Sequence, residues 1–177
     1  MAGVVYIAMS LDGFIARPDG RLDWLEAPDT DNRTQDDFEQ FLAGVDAIVM
    51  GRNTYDTVLS FGVWAYGDKP VFVLTHRPLS QPEDPQASVE AITGEPADII
   101  ATLAARSLRT LYVDGGLTIQ AFLSAGLIER MIITRVPVLL GDGIPLFAGL
   151  NVERHFECVS AGVTESGFEQ VEYRQIS

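Results

Sequence analysis

Three short stretches carry the residue types that could bind or move charge. Gly51-Arg52-Asn53-Thr54 follows the apolar run Ala47–Met50, Thr75-His76-Arg77 ends the run Val71–Thr75, and Asp114-Gly115-Gly116-Leu117-Thr118 follows Leu111–Val113. Each closes a strand-like run with glycine, hydroxyl, imidazole or guanidinium groups, and two of them lead into helix-like segments. Glycine lets a backbone come close to a ligand, and a helix start offers unpaired N–H donors at the positive end of its dipole. Arginine adds a bidentate grip on phosphate. Any one of these turns has an ordinary structural use. Together, at the ends of neighbouring strands, they describe an anion site of dinucleotide size, with the carboxyl group of Asp114 beside it.

The elements that must hold these turns follow from hydrophobic periodicity. Val4–Met9 is a continuous apolar run, as expected of a central strand. Residues 34–44 place Phe38, Phe41 and Leu42 on one helical face, with Thr34 suited to the N-cap, Asp36 and Asp37 to the first turn and Gly44 to the stop. Ala47–Met50 predicts a strand, Thr54–Phe61 a helix and Val71–Thr75 a strand. A proline-rich loop (Pro78, Pro82, Pro85) follows, and Pro96 opens a further helix. Leu111–Val113, Thr118–Ala125 and Met131–Val136 read as strand, helix and strand, and residues 155–176 as an antiparallel hairpin turning at Glu165-Ser166-Gly167. Strand–helix alternation ending in a hairpin predicts one α/β domain over residues 1–177: a three-layer sandwich around a mixed, mostly parallel sheet. In such a sheet ligands bind beyond the carboxyl ends of the strands, where the three turns fall.

Composition narrows the partners. The 177 residues hold 25 acidic against 12 basic side chains, a net charge of −13, which disfavours nucleic acid and anionic membrane surfaces. Lys69 is the sole lysine, so an anion must be held by arginine, backbone N–H groups or hydroxyls. Cys158 is the single cysteine, which precludes an intrachain disulfide and suits a reducing, cytoplasmic setting; its strand-like neighbours predict inert packing. The N-terminal apolar run is too short to span a bilayer. Neither histidine, His76 or His155, stands in a spacing that would ligate a metal, so no metal site is expected.

Taken in order, Tyr6–Ala16 (YIAMSLDGFIA), Asp23-Trp24-Leu25, Ile48–Tyr55 (IVMGRNTY), Val71–Pro78 (VFVLTHRP), Val113–Gly116 (VDGG) and Pro137–Phe147 (PVLLGDGIPLF) resemble the dihydrofolate-reductase-like superfamily. The closer resemblance is to its branch related to the reductase domain of the bifunctional riboflavin-biosynthesis deaminase–reductase. The resemblance implies NADPH binding and hydride transfer to a small organic substrate, as in 5-amino-6-(5-phosphoribosylamino)uracil reduction. By position, Gly51, Arg52, Asn53 and Thr54 would meet the pyrophosphate and 2′-phosphate, Thr75, His76 and Arg77 the adenosine side, and Gly115, Gly116, Leu117 and Thr118 the pyrophosphate. Ala8 and Ile15 would meet the nicotinamide carboxamide from a mobile loop of about residues 12–24. Charge-assisted bonds of about 1.5–3 kcal/mol from Arg52 and Arg77 would favour NADPH over NADH by roughly a hundredfold, less if exposed. A homodimer is expected by the same resemblance, through the terminal strands or residues 137–150.

The chain also departs from its relatives. No acidic residue aligns with the one that supports pteridine protonation in folate reductases; Asp37, with Asp36, is the nearest candidate acid. Residues 56–66 lack the base that would hold a folate carboxylate. Asp114 matches an acidic position of the riboflavin-type branch and is the second candidate catalytic group. No cluster of basic residues awaits a substrate phosphate, although Arg17 and Arg21 lie in the loop, and Phe14, Trp24, Phe61 and Trp64 could form an aromatic substrate pocket. Three readings follow: an NADPH-dependent reductase, a dihydrofolate or pteridine reductase, and a non-catalytic NADP(H)-binding or interaction protein.

Overall fold

The computed structural model describes residues 2–25, 33–164 and 166–176. Its strands are β1 (Ala2–Ser10), β2 (Phe14–Ala16), β3 (Ala47–Gly51), β4 (Pro70–Leu74), β5 (Ser88–Ile92), β6 (Thr110–Asp114), β7 (Ile128–Val136), β8 (Ile144–Pro145), β9 (Phe156–Val163) and β10 (Glu169–Gln175). The helices are α1 (Arg33–Ala43), α2 (Arg52–Ser60), α3 (Pro96–Ala105) and α4 (Gly116–Ser124). Eight strands form one sheet in the order β5-β4-β3-β6-β1-β7-β10-β9, parallel through β7 and antiparallel over the terminal hairpin. β2 and β8 make a separate antiparallel ribbon.

Side chains alternate across the sheet with the period-two rule. Val5, Val49, Phe72, Leu111 and Val113 face Ile99 and Leu103 of α3 and Ile119 and Phe122 of α4. Val4, Ile48, Met50, Val73 and Tyr112 face Phe41 and Leu42 of α1 and Tyr55 and Val58 of α2. The expected three-layer α/β sandwich with a mixed sheet and a C-terminal hairpin is therefore observed. Because β4, β3, β6 and β1 are neighbours, the three glycine- and arginine-bearing turns emerge side by side.

Four local expectations are corrected. α2 begins at Arg52 rather than Thr54, and α4 at Gly116 rather than Thr118, because glycines 51 and 115 occupy the N-cap positions and neither helix has a side-chain cap. β5 lies inside the segment read as a loop; SVEAI is an edge strand with partial exposure on both faces, which erases its alternation. The β2–β8 ribbon is too short to register as a period. Cys158, expected to pack, is exposed because β9 is the outer edge strand.

The ribbon explains why two distant motifs occur together. Asp12 accepts the N–H groups of Leu140 (3.2 Å) and Gly141 (2.7 Å) and the Ser10 hydroxyl, and Leu146 N–H donates to Gly13 O at 3.0 Å. The Ser10 hydroxyl, followed by those two backbone donors, holds the Asp12 carboxyl below its ordinary value. Residues 10–16 are thus fastened to 138–146, where the sequence predicted a mobile loop. Leu146, fully buried, pins the ribbon to the core over α4. Leu146→Ala should lower unfolding stability by about 2–5 kcal/mol in urea titration, and amide exchange should quicken first at residues 13–16.

Candidate functional site

The site is built on parallel β3 and β6, whose register pairs Met50 with Asp114 and so sets their two turns against each other. A Cβ added at Gly51 would meet Thr118 Oγ1 at 3.1 Å, and one added at Gly115 would collide with Thr54 Oγ1. The contact is reciprocal: each helix supplies the threonine that covers the other helix's glycine. Gly115 also has φ +91, which a side chain would disfavour. Thr54 and Thr118, where the sequence placed the starts of these helices, lie at this crossing, and the first N–H groups of α2 and α4 have no side-chain cap because their N-cap residues are glycines. Leu117 is 79% exposed on the first turn of α4, and Asn53 is exposed on that of α2. Two uncapped helix starts side by side, one on each face of the sheet, present backbone N–H donors suited to an anion such as pyrophosphate.

Arg52 is less free than the sequence suggests. Its Nε donates to both carboxylate oxygens of Asp56 at 2.8 and 3.0 Å, and its Nη1 donates to Pro78 O at 2.9 Å. The i,i+4 spacing to Asp56 was a readable signal for this pairing. The arginine therefore ties the β4 exit to the start of α2. Thr75 Oγ1 accepts the Arg77 N–H at 3.0 Å in a tight turn that leaves His76 and Arg77 exposed. Arg77 has no ion-pair partner among the described residues.

Asp114 lies at the end of β6 on the α1–α2 face. Its Oδ1 accepts its neighbour Gly115's N–H at 2.8 Å, and its carboxyl lies within hydrogen-bonding reach of the Tyr112 hydroxyl. Burial outweighs both bonds and pushes the group up to about 6. Tyr112 Oη donates to the main-chain carbonyl of Tyr6 at 3.0 Å, and burial raises the Tyr112 and Tyr66 hydroxyls. Phe38 and Phe41 of α1 close this face, with ring centroids 6.2 and 5.1 Å from Tyr112. Asp114 was marked by the sequence, but its grouping with Tyr112 and Tyr6 was not, because the β1–β6 register that assembles it is a tertiary fact. Asp37 is exposed on α1 and bears on this group only through its charge on Tyr6; the side chain of Asp36 lies outside the described residues.

The other expected residues divide between the site and its support. β1 pairs with β6 only through Val4↔Tyr112 and then diverges, while its other edge stays paired to β7 through Ser10. The backbone of Ala8 thus lies beyond the end of the β1–β6 pairing, on the β1 edge away from β7. Ile15 reaches the same turn, since its Cδ1 lies 2.9 Å from a Cβ added at Gly116. Phe14 packs against Gly143 in the ribbon. Trp24 is 8% exposed, and its indole N–H has no partner among the described residues. Trp64 stands behind Tyr66, its ring 5.2 Å from the tyrosine and its Nε1 donating to Gly67 O at 3.0 Å. Phe61 is exposed at the C-terminal end of α2, remote from the strand ends. Arg17 and Arg21 do not wait for a substrate phosphate: they pair with Asp23 (2.7 Å) and Asp19 (2.6 Å).

Among the described residues no group of His, Cys, Asp or Glu is placed to hold a metal, and no helix is long and apolar enough to cross a membrane. The uncapped N–H groups, the β1 edge left unpaired with β6 beyond Val4 and the exposed Arg77 are the groups that could hold a dinucleotide. The crossed contact carries its own test. Gly141 also has a positive φ (+77), but a Cβ there meets nothing within 4 Å. Gly115→Ala should therefore destabilise the protein by about 1–3 kcal/mol more than Gly141→Ala, the overpacking term alone, in chemical denaturation.

The chain is 42% identical to a protein of Shewanella sp. PV-4 named for riboflavin biosynthesis, with all of both chains covered and a TM-score of 0.88. The uncharacterized protein YwjB of Bacillus subtilis (strain 168) is 35% identical over 152 residues, 85% of this chain and 84% of that protein. The dihydrofolate reductase of Enterococcus faecalis, solved with NADP(H), shares the fold at a TM-score of 0.67 and 18% identity, over 99% of this chain and 97% of that one. The sequence profile of the RibD C-terminal domain matches residues 3–168, and with the strand-end site and the paired SLDGFIA and GDGIPLF motifs it makes this chain a member of the RibD C-terminal domain family.

Proposed function

We propose that the protein is an NADPH-dependent reductase that delivers a hydride to a small, unphosphorylated carbonyl, imine or pteridine-like acceptor. The observation that carries the reading is the position of Asp114: a carboxyl group raised to about 6 at the end of β6, past the point where β1 leaves it and beside the glycine turn that opens α4. Bound NADPH supplies the hydride; the chain must bind it, orient it and supply a proton. Backbone N–H groups of residues 51–54 and 116–118 would hold the pyrophosphate, Arg77 the 2′-phosphate, and main-chain groups at Ala8 and Ile15 the carboxamide. Asp114 would give its proton to the acceptor's nitrogen or oxygen. Support for an unphosphorylated acceptor comes from the ion pairs of Arg17 and Arg21 with Asp23 and Asp19, and from the absence of any cation acting on Asp114 among the described residues.

The test is an NADPH titration followed by a turnover screen contrasting simple carbonyls and imines with dihydrofolate and a ribosylamino-pyrimidine phosphate. Turnover of the unphosphorylated acceptors supports the reading; tight NADPH binding without turnover across the panel overturns it. Two further outcomes are expected. The proton-carrying form of Asp114 dominates below about 6, so turnover at saturating NADPH should fall as pH rises through about 6. Asp114→Asn should remove that limb and lower kcat by about 10²–10⁴-fold. Arg77→Ala should weaken NADPH about tenfold more than NADH in calorimetric titration, the low end of a charge-assisted bond at an exposed position; equal losses would reject the 2′-phosphate assignment.

A further inference from the structure

Strand β6 reads TLYVD, so Tyr112 and Asp114 project from the same face two residues apart. Tyr112 is 4% exposed, and a hydroxyl so buried needs a partner. It finds the main-chain carbonyl of Tyr6 at 3.0 Å. Tyr6 lies two residues beyond Val4, the last β1 residue paired with β6, so the hydroxyl stands where a strand N–H would otherwise be. The same hydroxyl lies within hydrogen-bonding reach of the Asp114 carboxyl. A phenol has one proton to donate and lone pairs with which to accept, so it cannot donate in both directions at once.

We propose that Tyr112 is the positioning residue of this site, a two-way hydroxyl that aims the Asp114 carboxyl and uncovers the Tyr6 carbonyl when the carboxyl loses its proton. The inference rests on Asp114 as the proton donor. While Asp114 is protonated, its O–H donates to Tyr112 Oη and the Tyr112 O–H donates to Tyr6 O, closing one chain. When the proton leaves, one O–H bond of Asp114 breaks and one N–H or O–H bond forms on the acceptor. The Tyr112 O–H bond is kept and turns to the new carboxylate, the stronger acceptor. By reciprocity, a ligand N–H donated to the opened Tyr6 carbonyl favours the ionised carboxyl, and a proton on the carboxyl disfavours that ligand. The titratable groups facing this chain are Tyr6 on β1, Tyr66 after α2 and, through its charge on Tyr6, the exposed Asp37 of α1. Phe38 and Phe41 supply the remaining wall from α1.

The experiment is a carbon-13 NMR titration of the full chain without cofactor or substrate, labelled at the Asp114 carboxyl and the Tyr6 carbonyl. In the wild-type protein both resonances should move with one midpoint. In Tyr112→Phe the carboxyl midpoint should rise, since the bond that favours the carboxylate is gone, and the Tyr6 resonance should stop following it. A Tyr6 carbonyl that stays flat through the wild-type midpoint overturns the inference, as does an unmoved carboxyl midpoint in Tyr112→Phe. The wild-type measurement is decisive even if the variant folds poorly. If Asp114→Asn turns over like wild type, the proton-donor assignment fails, while the coupled titration is judged by itself.

Discussion

The arrangement depends on one crossed contact between two strand–helix turns. Parallel pairing of β3 with β6 brings Gly51 and Gly115 close, and the threonine of each following helix lies against the glycine of the other. A methyl group at either glycine would push the helices apart, so the spacing of α2 and α4 is set by the absence of a side chain. The same glycines explain why neither helix is capped: Gly51 and Gly115 occupy the N-cap positions and have no side chain to accept a first-turn N–H. A structural economy inside the turn thus produces a binding surface outside it.

A second constraint acts from the other side of β6. β1 leaves β6 after Val4, and this break would leave buried backbone groups unpaired if nothing answered them. The Tyr112 hydroxyl answers one of them, at Tyr6. The ribbon of β2 and β8 carries Ile15 to Gly116 and is fastened through Asp12 and Leu146. The parting of β1 from β6 is therefore a built feature, stabilised on the strand side by a phenol and on the loop side by a carboxylate that caps a distant turn.

Much of this was legible in the sequence, and the rest failed for identifiable reasons. The strand centres and helix faces followed from period, and the three turns were found because glycine, threonine and arginine at strand ends have few cheaper explanations together. Helix starts were placed two residues late, at Thr54 and Thr118, because glycine is a weak helix signal, and only tertiary register shows what these threonines cover. β5 was hidden by the prolines before it and by its edge position, while β2 and β8 are too short to carry a period. Arg52 was read as a free cation although Asp56 stands at the spacing that pairs it within one helix. Tyr112 was invisible as anything but core, since its partner Tyr6 is 106 residues away and lies in a strand whose pairing ends just short of it.

The charge distribution then limits how such a site can work. A net charge of −13 gives no long-range attraction for an anionic ligand, and Arg17, Arg21, Arg52, Arg106, Arg130 and Arg135 are each paired with a carboxylate. Selectivity for a phosphate-bearing ligand must come from short-range, oriented donors, which act only once the anion is seated. Backbone N–H groups at two helix starts have that property, because their direction is fixed by the fold and does not depend on side-chain rotamers. The same logic applies to the carboxyl beside them. With no cation acting on it among the described residues, Asp114 is governed by burial, by the Gly115 N–H and by the Tyr112 hydroxyl, so whatever covers this strand end also changes how readily the carboxyl ionises. Solvent exclusion at this one strand end would thus act on the anion-facing N–H groups and on the Asp114 carboxyl together.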